Sequence, residues 1–299
     1  MAGTKEIQTR MKSIQDTMKI TNAMYMISSS KMKRAKKVLA DTEPYFFGVQ
    51  TALDRILRHL PDEEKESRYL DERTDVSPED RKRALIVVTA DKGLNGAYNH
   101  NIIKMAEEEL KKPGHTKLYV LGVVGRQYFS KKKVDMDGSF RYTVQKPTMH
   151  RSRMITETVI EGFLSGEFDE VSILFTEMLN SMKEEPVLKT LLPLKHPEPE
   201  PISLPMDMRR EEIRLFPSAR EVMDNIVPSY LVGVIYGALV ESYASEHNAR
   251  MMAMQSASDN AAELLNDLSI EYNRVRQAAI TQEITEVVGG ARAQRKKKR

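Results

Sequence analysis

The sequence predicts α/β plus long helices: an antiparallel two-helix coiled coil of the N- and C-terminal helices, with an intervening Rossmann-like α/β domain. Three observations carry this. An apolar 4,3 repeat runs through the first forty residues, strand and helix patterns alternate between residues 82 and 205, and beyond Pro228 the chain has no proline. Composition agrees. Aromatic residues are only 6% of the 299, Trp is absent and Met is high at 18. That mix suits long helices with thin, adaptable seams better than a thick β core.

The first helix is read from Ile7, Met11, Ile14, Met18, Thr21, Tyr25, Ser28, Met32, Ala35 and Leu39. This a/d spacing sustained over heptads marks a helix pairing with another helix. Pro44 should kink or interrupt it, because proline removes a backbone donor and clashes with the preceding turn. A weaker helix resumes from Tyr45 to His59. Polar, proline-flanked residues 61–80 read as a linker.

Next, Arg83–Ala90 reads as a buried strand and Asn99–Lys112 as an amphipathic helix stopped by Pro113-Gly114. Lys117–Val124 is a second strand and Arg126–Lys132 a short basic helix. Thr148–Leu164 is a helix, Glu170–Thr176 a strand and Val187–Leu194 another. Such alternation implies βαβ units, a mostly parallel sheet and right-handed crossovers. Pro197, Pro199, Pro201 and Pro205 mark an extended exit.

The last helix begins at Ser218, with Glu221 completing a capping box. Its seam reads Leu231, Ile235, Ala238, Ser242, Ser245, Ala249, Met252, Ser256. After a one-residue shift it continues as Ala257, Ala261, Leu264, Leu268, Tyr272, Val275, Ala279. Sixty such residues make a rod of roughly 90 Å. Gly289-Gly290 is the expected stop. The Ala/Ser-rich seam buries little apolar area, so the rod expects a partner around it. The domains are thus 1–60 (N-terminal coiled-coil helix), 61–81 (variable linker), 82–210 (α/β domain), 211–290 (C-terminal coiled-coil helix) and 291–299 (basic tail).

Charge and composition exclude several classes. The formal charge is +3, but Arg292, Arg295, Lys296, Lys297, Lys298 and Arg299 are all terminal, and without them the body is net acidic. The body is not a basic nucleic-acid binder, although the tail could touch nucleic acid or anionic lipid. With no Cys there is no disulfide scaffold, Cys-ligated metal or Cys nucleophile. The longest uncharged stretch, Asn225 to Val240, is shorter than the ~20 residues that span a bilayer. The N-terminus lacks an apolar signal region. The chain is expected to remain in the cytoplasm.

No active-site pattern emerges. His59, His100, His115, His150, His196 and His247 are scattered, with no zinc-protease, nucleophile-elbow or Walker motif. Asp91-Lys92-Gly93-Leu94-Asn95-Gly96-Ala97 follows a strand and opens a helix, where a dinucleotide fold places its phosphate loop. Gly93 and Gly96 lack the third glycine, so a structural turn and an anion site both stand. Gly233 and Gly237 suit a close helix crossing. Lys31-Met-Lys-Arg-Ala-Lys-Lys37 carries five positive charges in seven residues. It is a solvated face or a contact for an acidic partner. The Met clusters at Met24, Met26, Met32 and Met251, Met252, Met254 are seam filler or a pliable contact surface. From Tyr272 to Val288 the helix has little bulk for a core. Gln277 and Thr281 are i,i+4 neighbours, and Arg276 and Glu283 share a face. A helix polar on most sides often sits inside a partner.

Several of these fragments carry a resemblance. Lys5-Glu-Ile7, Lys19-Ile-Thr-Asn-Ala-Met-Tyr-Met26 and Ser30-Lys-Met32 open the chain, and Asp91-Lys-Gly-Leu-Asn-Gly96 follows the first strand. Ser245-Glu-His-Asn-Ala-Arg-Met-Met-Ala-Met254, Asn260, Tyr272-Asn273 and Arg276-Gln-Ala-Ala-Ile-Thr-Gln-Glu-Ile-Thr-Glu-Val287 close it, with Gly290-Ala291. In this order they resemble the gamma subunits of bacterial F-type ATP synthases, over nearly the whole chain. The resemblance implies that the terminal helices turn inside a hexamer of alpha and beta subunits. The α/β domain would be a foot on the ring of membrane c subunits, beside epsilon. Catalytic nucleotide sites would lie on beta, so no cofactor, metal or nucleic acid is expected here. By the same resemblance Arg250, Arg276, Gln277, Thr281, Glu283 and Glu286 would meet beta. Met24 would lie where the shaft passes the lower lobes of beta, and Lys31, Lys33 and Arg34 would face acidic beta loops. The family's acidic residue before the last helix is missing from Ile213-Arg-Leu-Phe-Pro217, so no acidic c-ring contact is carried over there. The tail after Gly-Ala is also longer than the family pattern. A nucleotide-dependent enzyme using the Gly93–Gly96 turn, and a scaffold with a nucleic-acid-binding tail, are the alternative readings.

Overall fold

The computed structural model describes residues 3–60, 68–180, 183–195 and 214–297, with side chains described through Arg292. The tail beyond Arg292, most of the acidic part of the linker and the proline-rich exit lie outside the described side chains. The element order is α1 (Thr4–Arg58), β1 (Lys82–Val88), α2 (Tyr98–Leu110), β2 (His115–Leu121), α3 (Val123–Phe129), α4 (Met149–Leu164), β3 (Glu170–Met178), β4 (Glu184–Leu192) and α5 (Ala219–Lys297). Two compact units result: Ser29–Ala249, and Met1–Ser28 with Arg250–Arg299.

The larger unit is built on a four-stranded sheet in the order β2-β1-β3-β4. β1 pairs in parallel with β2 and β3, while β4 runs antiparallel to β3. Strand alternation sends Ala84, Ile86 and Val88 to one face, with Ile155, Val159 and Phe163 of α4, Leu53 and Leu57 of α1, and Val227, Leu231 and Ile235 of α5. Leu85 and Val87 face the other way, against Ile102, Ile103 and Ala106 of α2 and Phe129 of α3. With helices on both faces, β1 is buried throughout its inner residues, which is why its sequence is a continuous apolar run. Thr148 caps α4, its hydroxyl accepting the Arg151 N–H at 3.3 Å. Ser218 Oγ accepts the Glu221 N–H at 3.2 Å at the start of α5, as its capping pattern predicts.

Residues read as linker also build this unit. Tyr69 and Leu70 join the core. Arg73 donates to the carbonyls of Phe163 and Phe168, both at 2.6 Å, and to Asp169 at 2.8 Å. Burial pushes the Asp169 carboxyl up, but the Lys82 N–H and the Arg73 guanidinium outweigh it and hold it below the usual carboxylate range.

The smaller unit is a seam between the two helix ends. Ile7, Thr21, Ser258, Ala261 and Leu268 are buried. The hydroxyls of Thr21 and Ser258 hydrogen-bond at 2.6 Å, and Ser258 also donates to Asn22 Oδ1 at 3.1 Å. Over α1 the predicted seam holds: each position from Ile7 to Leu39 is buried or half-buried, with mostly exposed residues between.

Four expectations need correction. Of the two outcomes expected at Pro44, interruption does not occur: α1 runs through it as helix. Its next turn is held by packing: Phe46 lies 6.0 Å from the Tyr236 ring, against the notch left by Gly233. α5 does not stop at Gly289-Gly290. Neither glycine adopts a left-handed conformation, and the helix continues to Lys297. On α5 the seam phase changes earlier than expected, so Met252, Ser256 and Leu264 are exposed while Met254 and Ser258 are buried. β4 begins at Glu184 rather than Val187. Apart from these, an 18-residue window of α5 has a mean hydropathy of 1.4, apolar enough to cross a bilayer by composition, and half of that window is buried in the protein.

Candidate functional site

Doubly wound sheets bind ligands outside the carboxyl ends of their strands, at the point where strand order reverses. Here the reversal lies between β1 and β3, and α5 fills it. Ser242 Oγ accepts the Thr176 N–H at 3.2 Å, and Ser245 Oγ donates to the Thr176 carbonyl at 3.2 Å. Glu241 Oε1 accepts the Met178 N–H at 3.2 Å. The Tyr98 hydroxyl donates to the Ser242 carbonyl at 3.2 Å. Burial, reinforced by Glu246, drives the Tyr98 hydroxyl far above the ordinary tyrosine range.

The glycine turn is filled as well. Asp91 accepts the N–H of Val123 at 3.1 Å and of Val144 at 3.2 Å, together with the Thr143 hydroxyl. Its carboxylate thus stands at the start of α3, in the place an anion would take. Asn99 Oδ1 accepts the Ala90 N–H at 2.9 Å, and Asn99 Nδ2 donates to Asn95 Oδ1 at 3.1 Å. Gly96 has a φ of 56° and Leu94 of 61°, so two left-handed residues close the turn. Gly93 has open space around it. Gly122 is more constrained: its φ is 90°, and a Cβ there would sit 2.3 Å from the Thr89 carbonyl.

The residues expected to meet partners fall in both units. In the larger one, Lys31 is half-buried and Lys33 and Arg34 are exposed along α1. Lys31 and Arg34 line a groove of about 330 Å³ with Ala35, Val38, Val240 and Lys146. Sequence reading missed Lys146. It has a φ of 49°, and Arg151 fixes its loop by donating to the Gln145 carbonyl at 3.2 Å. Only a strained backbone among otherwise ordinary loop residues distinguishes it, and no sequence pattern announces that.

In the smaller unit, Met24 is half-buried beside the seam and Arg250 is 7% exposed. Arg276, Gln277, Thr281, Glu283 and Glu286 are all exposed. The Thr281 hydroxyl donates to the Gln277 carbonyl at 2.9 Å, and Gln282 donates to Glu286 at 3.0 Å. Arg276 and Glu283 form no ion pair among the described residues. The same stretch exposes Ile280, Ile284, Val287 and Val288. Their i, i+4, i+7, i+8 spacing was present in the sequence, but it was overshadowed by the polar residues between them.

Known proteins fit this arrangement. A family model described as ATP synthase matches residues 3–294. The chain is 43% identical to the ATP synthase gamma chain of Ruminiclostridium cellulolyticum, over 97% of this chain and 98% of that one. It is 42% identical to the ATP synthase gamma chain of Acetivibrio thermocellus, over 98% and 99%. Among solved structures, a chain of the Euglena gracilis mitochondrial ATP synthase assembly of OSCP, F1 and c-ring matches with a TM-score of 0.65 at 16% identity, covering 99% of this chain and 96% of that one. With two paired terminal helices, an α/β domain whose ligand crevice is filled by its own last helix, and these matches from end to end, the chain belongs to the ATP synthase gamma chain family.

Proposed function

We propose that this chain is the central-stalk rotor subunit of an F-type ATP synthase, coupling ion-driven rotation of a c ring to ATP synthesis and hydrolysis on beta subunits. One observation carries the reading. From Arg276 to Arg292 every residue of α5 is exposed, including an isoleucine–valine stripe, on a helix that no other described segment covers. An isolated helix with an uncovered apolar stripe calls for a sleeve. A hexamer of alpha and beta subunits is that sleeve. Arg250, Arg276, Gln277, Thr281, Glu283 and Glu286 present hydrogen-bonding groups to beta, and Met24 lies where the shaft passes the lower lobes of beta. Lys31, Lys33 and Arg34 face acidic loops of beta. The α/β domain sits on the c ring beside epsilon, and the chain reaches the membrane only through that ring, on the cytoplasmic side of a bacterial cell membrane.

The mechanism follows from asymmetry. One shaft cannot touch three identical beta subunits identically. At each angle the contacts differ, and the difference in contact free energy biases each beta towards a different state. Turning the shaft moves that bias from one subunit to the next. This chain needs no active site for that role, and its filled crevice and filled glycine turn support assigning the chemistry to beta.

The test is reconstitution with alpha and beta subunits from the same source, comparing Gln277→Leu with the parent. Co-migration as one complex, with hydrolysis that depends on this chain and falls several-fold in the variant, is the expected result. A chain that neither assembles nor stimulates hydrolysis would sink the proposal.

A further inference from the structure

The packing of β4 against α5 holds two acceptors that meet no donor. Glu184 opens β4, and its Oε2 is buried without a hydrogen-bond partner. Asn248, 2% exposed on α5, has its Oδ1 in the same condition. The Asn248 side chain also hydrogen-bonds the Glu184 carboxyl. A carboxylate has only acceptors, so an ionised Glu184 cannot relieve the shortage. A protonated one becomes a donor and removes a buried charge in the same step.

Among the described residues, burial and the Asn248 hydrogen bond act on that carboxyl, and no cation offsets its charge. Glu246 and His247 precede Asn248 on α5 and Arg250, 7% exposed, follows it, while Glu241 of the same helix accepts the Met178 N–H. Tyr98 of α2 lies within electrostatic reach of both Glu184 and Glu246, and stays neutral. Across the sheet, Glu184 pairs with Met178 of β3. Lys183, the neighbouring cation, places its Nζ 2.5 Å from Glu185.

We propose that Glu184 is a proton-operated latch between β4 and α5: protonated, it stays packed on Asn248, and ionised, it draws the start of β4 away from the helix. Burial pushes its carboxyl up from 4.5 to about 7, against the pull of the Asn248 hydrogen bond. The native chain therefore holds this proton more tightly than the unfolded chain. The stabilisation is fully present below the unfolded value and is lost as pH rises through about 7.

The test is a pH series from 5 to 8.5 on the full chain and on Glu184→Gln, which mimics the protonated group. One readout is the melting temperature and the other is the side-chain carboxyl carbon resonances of 13C-labelled glutamate. In the parent chain a melting temperature that falls across pH 6–8 is expected, with one glutamate carboxyl titrating within about one unit of 7. The variant should lose that resonance, flatten the slope and melt higher than the parent at pH 8. Amide shifts of Glu184, Glu185, Val187 and Leu188 should move with the same midpoint in the parent alone. An unchanged slope in the variant, or every glutamate titrating below about pH 5.5, overturns the latch. If the variant does not fold, the parent's carboxyl titration decides.

Discussion

Two stretches of the same helix, Leu231–Asn248 and Arg276–Arg292, differ in almost every physical respect. In the first, nearly every residue is buried, including Ser242, Ser245, Glu246 and Asn248. In the second, every residue is exposed. The first is helical because a sheet and its neighbouring helices enclose it. The second has no such support, and intrinsic propensity alone holds long helices only marginally. One helix therefore serves as core at one end and as a partner-facing surface at the other.

The largest effect should separate the two stretches by matched truncations. Ile235 is fully buried against the sheet core, and Ile284 is 58% exposed. Ile235→Ala should cost about 2–5 kcal/mol in denaturant unfolding of the larger unit. Ile284→Ala should change the isolated chain by less than about 0.5 kcal/mol. In the reconstituted complex the order should reverse for assembly strength at equal amounts of folded chain. Equal unfolding costs would break the comparison.

The extent to which the sequence disclosed this follows the same division. The α1 seam was legible because heptad spacing survives wherever one helix face meets another. The α5 seam was misplaced at Met252, Ser256 and Leu264 because the stretch before it is buried on every side. A fully enclosed helix carries no phase forward, and its Ala/Ser composition adds little contrast. The β strands were legible as apolar runs, but the contribution of Tyr69, Leu70 and Arg73 was not, because a polar neighbourhood hid three residues that build core. The filled crevice was equally hidden: Ser242 and Ser245 read as small seam residues, and only the fold brings them to Thr176.

A smaller effect sharpens the comparison at its glycines. A Cβ added at Gly233 would lie 2.2 Å from the Phe46 ring. Gly233→Ala should therefore destabilise the larger unit by about 1–3 kcal/mol, as overpacking does. A second substitution, Phe46→Leu, which shortens the intruding side chain, should recover part of the loss. The check is the double-mutant cycle by thermal unfolding. Strictly additive costs would mean that the notch and the ring are not coupled.

At Gly289 the same substitution should have the opposite sign. Nothing lies within 4 Å of the added Cβ, and the helix already runs through the position without a left-handed turn. Only propensity remains, and alanine gains up to about 1 kcal/mol over glycine in a helix interior. Gly289→Ala with Gly290→Ala should thus raise helical circular dichroism and slow amide exchange beyond Val288, leaving the unfolding of the larger unit unchanged. Alanine that fails to stabilise this end would mean its backbone is held by something other than propensity. Matched gains at Gly233 and Gly289 would mean that the close approach of Phe46 does not decide the first stretch, and the contrast between the two would fall.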